Sequence, residues 1–152
     1  MKKIIVMIVA IVALGTSAIA QEDGNHIGVR LGDGYGTNAE ISYQMGLGGN
    51  RAEFDLGVNM NNGWNYIHLA GVYQWIGNIS GGLGWYAGVG ASMGIFKGKY
   101  NGFGLGIAGQ IGLSYDFPIP LQLTLGMRPE YDFLGYSHLG WGGVALGIRY
   151  RF

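Results

Sequence analysis

Residues 144–152 read VALGIRYRF. Val144, Leu146, Ile148, Tyr150 and Phe152 alternate with Ala145, Gly147, Arg149 and Arg151. Successive side chains of an extended strand point to opposite faces, so this stretch has one large apolar face and one face of small residues and arginines. The same grammar recurs along the chain, and it decides the fold.

No segment carries a 3.6-residue apolar stripe, whereas period 2 appears almost everywhere. It marks eight strands. The apolar set is Ile27, Val29 and Leu31 in the first, and Ala39, Ile41, Tyr43, Met45 and Leu47 in the second. It continues with Ala52, Phe54, Leu56, Val58 and Met60, then with Ile67, Leu69, Tyr73 and Trp75. Trp85–Phe96, Phe103–Phe117 and Leu121–Phe133 supply the fifth to seventh strands, and the stretch quoted above is the eighth. The connectors GDGYGT, GLGGN, NNGW, GNISGG, KGKYNG, FPIP and LGYSHLG carry turn residues. All are short, so successive strands are expected to be antiparallel neighbours. Pro129 falls inside the seventh strand and is expected at a bulge or near its outer end.

The N-terminus stands apart from this pattern. MKK is a short positive region, Ile4–Leu14 is an unbroken apolar run, and Ala18 and Ala20 form an A-x-A site. Residues 1–20 therefore read as a cleaved signal peptide, and 21–152 as one barrel domain. The run is shorter than the ~20 apolar residues of a spanning helix. The chain has no cysteine. Without Lys2 and Lys3, seven Lys and Arg face nine Asp and Glu, a small negative balance with no basic patch for nucleic acid. Glycine is abundant, 31 of 152, but aromatics at 13 % and charges at only 12 % argue for order rather than disorder.

An eight-stranded meander can close with its apolar face inward, as a soluble barrel, or outward against lipid. Period 2 alone does not choose. Glycine does: a water-facing surface has no reason to be small, whereas the lumen of an eight-stranded barrel has room for few bulky side chains. The expected fold is therefore an all-β, eight-stranded antiparallel up-and-down transmembrane β-barrel. Closure follows because unpaired backbone groups cannot lie in hydrocarbon.

Eleven charges then face the lumen: Arg30, Arg51, Arg128, Arg149 and Arg151 with Glu40, Glu53, Asp55, Asp116, Glu130 and Asp132. They are expected to form a salt-bridge network that plugs it, since an unpaired charge in a narrow dry space is costly. Trp75, Trp85, Tyr115, Phe117, Tyr150 and Phe152 should collect at one rim, and Phe103, Tyr131, Phe133 and Trp141 at the other, as aromatic girdles do.

Signal peptide, eight alternating strands and a terminal strand GIRYRF resemble the small OmpA/OmpX-type outer-membrane barrels of Gram-negative bacteria. The stretch DFPIPLQLTLGMRPEYDF, residues 116–133, is also similar to one in small porin-like proteins of Bacteroidetes. The resemblance implies export through the periplasm, insertion among lipopolysaccharide and phospholipid, and a monomer. It also implies that the barrel-assembly machinery reads Tyr150 and Phe152 as the assembly signal. The short outer connectors depart from family members whose long loops bind partners.

Other motifs point nowhere specific. Gly104, Gly106 and Gly109 match G-x-G-x-x-G but lie within a strand, where a dinucleotide site needs a strand followed by a helix. His26, His68 and His138 lack metal-ligand spacing, and His68 is expected to point into the lumen. Ser137 and His138 are adjacent in a connector, but no Ser/His/acid set shares a lipid-facing surface. Glu53, Asp55, Glu130 and Asp132 fit an ion network better than an acid/base pair. Neither catalysis, cofactor nor metal is expected. A structural, envelope-maintenance barrel leads, with a narrow small-solute channel and a lipid A-modifying enzyme as alternatives.

Overall fold

The computed structural model describes residues 24–34, 37–61, 63–99, 101–134, 138–140 and 142–152. The expected signal peptide, Ser137 and Trp141 lie outside these. Among the described residues there is no helix. Ten strands run in chain order: β1 (His26–Gly34), β2 (Thr37–Gly46), β3 (Asn50–Asn61), β4 (Trp64–Ser80), β5 (Leu83–Lys97), β6 (Gly102–Asp116), β7 (Leu121–Met127), β8 (Glu130–Leu134), β9 (His138–Gly140) and β10 (Val144–Arg151).

They make eight staves. β7 and β8 are two parts of the seventh, interrupted at Arg128–Pro129, and β9 and β10 are two parts of the eighth. Each stave is antiparallel to its neighbours, and β1 pairs with β10, so the sheet closes on itself. Asn25 and Phe152 exchange two backbone hydrogen bonds of 3.1 and 2.9 Å where the ends meet. Closure leaves no sheet edge, as a sheet in hydrocarbon requires.

The interruption at Pro129 does not shift the register. Ile111 pairs with Met127 on one side of it and Ala108 with Glu130 on the other, three residues apart on both strands. Proline lacks a donor, and its carbonyl instead accepts from Gly109 N at 2.8 Å. The eighth stave does slip. Met127 faces Val144 and Glu130 faces Gly140, so four steps on one strand oppose three on the other. This is a bulge, with Gly142 at φ +53°.

Several connectors are shorter than the sequence suggests. β1 and β2 reach Gly34 and Thr37, which pair, and β9 lies within the stretch read as the connector LGYSHLG. Hairpins extend as far as backbone groups can find partners.

The two faces are unambiguous. Val89, Ile107, Ile111, Leu125 and Val144 are each more than half exposed on the outside. The most buried large side chains are Arg128, Arg149, His68, Gln44, Gln74 and Gln122. Such a continuous apolar belt far exceeds the patches that water-soluble monomers tolerate. This is an eight-stranded transmembrane β-barrel with a polar interior. Trp75, Trp85, Tyr115, Tyr150 and Phe152 are exposed near the end that carries the termini. Phe103, Tyr131 and Phe133 are exposed toward the other.

Candidate functional site

The lumen is the candidate site, and it is built in layers. Strand alternation delivers each polar side chain inward, and the register then sets its level. Arg30 on β1 lies opposite Glu40 on β2, and Gln44 on β2 lies opposite Glu53 on β3. Arg51 on β3 faces Gln74 on β4, and Asp116 on β6 faces Gln122 on β7. Small residues on β5 to β7 make the space. A Cβ on Gly112 or Gly126 would collide with the hydroxyl of Tyr86, which reaches across between them.

The layer farther from the termini centres on Arg128. Its Nη1 donates to Asp55 Oδ2 at 2.7 Å, Nη2 to Glu40 Oε1 at 2.7 Å, and Nε to Glu130 Oε1 at 2.8 Å. Arg30 Nη1 reaches Glu40 Oε2 at 3.3 Å. His68 lies between two carboxylates, with Nε2 3.0 Å from Glu130 Oε2 and Nδ1 3.4 Å from Glu40 Oε1. With His68 protonated, this layer holds three positive and three negative groups and is neutral. Arg128 and Glu130 flank Pro129, so the interrupted strand aims both into one cluster.

The layer nearer the termini is amide-rich. Arg149 donates from Nη2 to Glu53 Oε2 at 3.0 Å, from Nη1 to Thr124 Oγ1 at 2.7 Å and from Nε to Ser42 Oγ at 2.9 Å. Glu53 also accepts from Gln44 and from Gln110, the latter at 2.7 Å. Gln74 donates to Gln110 and accepts from Arg51, whose guanidinium stacks 5.1 Å from the centre of the Tyr86 ring. This chain of partners crosses the barrel from β3 through β4 and β6 back to β3.

Of the eleven charges singled out in the sequence, Arg30, Glu40, Asp55, Arg128 and Glu130 come together in the first layer, and Glu53 and Arg149 in the second. Asp116 and Arg151 are half-buried at the mouth near the termini, where Asp116 accepts from Gln122 at 3.0 Å and lies 3.9 Å from His26. Asp132 is half-buried beside Gly106. Neither Arg51 nor Arg151 is brought within ion-pair distance of a carboxylate among the described residues. Gln44, Gln74, Gln110, Gln122, Ser42, Thr124 and Tyr86 were not singled out. Their signal was present, since each occupies a polar-face position, but an eye for charges passes over amides. Among the described residues no cluster of three or more His, Asp or Glu is placed to hold a metal.

This architecture has a counterpart among solved structures. The barrel is similar to neisserial surface protein A. The TM-score is 0.58 over 85 % of this chain and 94 % of that one, at 14 % sequence identity. Such a likeness speaks for the fold, since few residues are shared. No protein-family model and no curated protein matches the chain.

Proposed function

We propose that the chain is an exported outer-membrane barrel of the OmpA/OmpX type that serves a structural, envelope-maintenance role, with a plugged lumen and no catalysis. The observation that carries this reading is the bracing of the lumen by Arg128 and Arg149. Each is 1 % exposed and each holds acceptors from three positions on the wall. Charges held from several walls in so narrow a space support a lumen closed to hydrated solutes. The likeness to a neisserial surface protein supports placement at the cell surface.

In this reading residues 1–20 direct export and are removed. Tyr150 and Phe152, exposed at the end of the closing strand, are the signal for the barrel-assembly machinery. The outer face is solvated by lipopolysaccharide and phospholipid acyl chains, and the barrel is a monomer.

The test is electrical. The protein is refolded in detergent, checked by heat-modifiable migration on a gel, and added to a planar lipid bilayer. A silent bilayer is expected. Stable single-channel steps would sink the plugged lumen in favour of a narrow channel. Mass spectrometry of lipid A from cells with and without the protein should show identical species, and a new acylation pattern would establish catalysis instead.

A further inference from the structure

At the end that carries the termini the lumen opens into a cavity of about 160 Å³. Arg51, Arg151, His26, Asp116, Gln122 and Gly46 line it. Gln122, which lines it, is itself buried.

The charge balance of this vestibule differs from that of the rest of the lumen. Arg30, Arg128 and Arg149 each have a carboxylate within 3.3 Å. Arg51 is 5 % exposed and has none. Its Nε is used by Gln74, Tyr86 lies under its face, and its Nη2 is enclosed without an acceptor. Arg151, on the closing strand, likewise has no carboxylate within 4 Å among the described residues. The one carboxylate in the vestibule, Asp116, is engaged by Gln122 at 3.0 Å and lies 3.9 Å from His26. Among the described residues two guanidinium groups therefore face one carboxylate, leaving a surplus positive charge where burial makes it expensive. Water at the mouth would not neutralise the charge.

We propose that this vestibule binds one small oxyanion, a phosphate or a carboxylate, between Arg51 and Arg151. The guanidinium fork matches the paired oxygens of such an ion, and the bonds are charge-assisted. The volume admits an inorganic anion or a short carboxylate. Asp116 sets an upper limit on affinity, since it repels the ion it shares the space with. The site goes beyond the structural role proposed above and does not depend on it, because a plugged barrel and a narrow channel would both present this mouth.

The experiment is a titration of the full barrel in detergent micelles with inorganic phosphate, and separately with acetate, followed by NMR of the His26, Gly46 and Arg51 amides and the arginine Nε–H groups. Saturable shifts confined to this mouth are expected for at least one anion, with a Kd at or below roughly 10 mM. Arg51→Gln should weaken binding by at least about tenfold, and Asp116→Asn should strengthen it. Heat-modifiable migration reports whether each variant has folded. If Arg51→Gln fails to fold, Arg151→Gln reads the same site from the other side. Absence of a saturable shift for both anions, or equal affinity in the arginine variants, overturns the proposal. Glu22 and Asp23 immediately precede Gly24 in sequence and provide a further control. Binding that emerges only in a Glu22→Gln/Asp23→Asn variant would show that the chain supplies its own anion, which also overturns it.

Discussion

The two layers of the lumen solve one problem in different ways. Around Arg128, a guanidinium is surrounded by three carboxylates, with Arg30 and His68 completing the balance. Around Arg149, one carboxylate, Glu53, is shared among the arginine and two glutamines, and the hydroxyls of Ser42 and Thr124 accept the arginine's remaining bonds. In the first layer the members depend on charge balance, so removing one exposes several uncompensated partners. In the second the load is spread over neutral groups, and each loss is local. The difference teaches that a buried arginine is retained by what it would leave behind, more than by the number of its bonds.

Substitutions can break or sharpen that contrast. The largest effect is expected from Arg128→Met, which strands Glu40, Asp55 and Glu130 in the lumen. It should lower unfolding stability by about 3–5 kcal/mol, the range for breaking a buried charge cluster. Urea titration of the barrel in lipid vesicles would measure it. Adding Glu40→Gln to that variant should recover part of the loss, with a coupling of about 1–3 kcal/mol between positions in one network. Strict additivity would show that the cluster is not a unit.

Arg149→Met should cost less, about 1–3 kcal/mol, because Glu53 keeps the amide donors of Gln44 and Gln110. A loss equal to that of Arg128→Met would erase the contrast between the layers. Gln110→Leu removes one donor from Glu53 and the acceptor of Gln74, and should cost roughly 1–2 kcal/mol by the same measurement. Arg51→Gln should be smallest, within about 0.5 kcal/mol or slightly stabilising in anion-free buffer, since it removes a charge with no carboxylate at ion-pair distance among the described residues. A large destabilisation there would mean that the stack on Tyr86 and the bond to Gln74 outweigh the unpaired charge.

Much of this was legible in the sequence. The alternation in β10, with Val144, Leu146, Ile148 and Tyr150 on one face and Ala145, Gly147 and Arg149 on the other, reappears as exposure and burial in the barrel. The cross-strand pair Gln44–Glu53 follows from a short hairpin whose turn pins the register, whereas Arg30 meets Glu40 only because the register shifts between Leu31 and Gly34. Pro129 announced an interruption, because a proline cannot donate to the ladder. The bulge between Gly140 and Val144 was not announced. Its glycines look like those of any turn, and only the pairing on both sides shows that one residue is extra.

The sequence by itself determined that the chain is a sequence of strands, how its residues divide between the two faces, and, through the smallness of one face, which face turns inward. Those are local properties, set by a side-chain period of 2 and by residue volume. The tertiary structure alone decided who meets whom across the lumen. Arg128 finds Asp55 from 73 residues away and Glu40 from 88, and Arg149 finds Ser42 from 107. Those meetings depend on the tilt and stagger with which the sheet closes, a property of all eight staves together that no single strand encodes. The same closure left Arg51 and Arg151 facing a vestibule whose one carboxylate among the described residues is Asp116, although the summed charges of the chain nearly cancel.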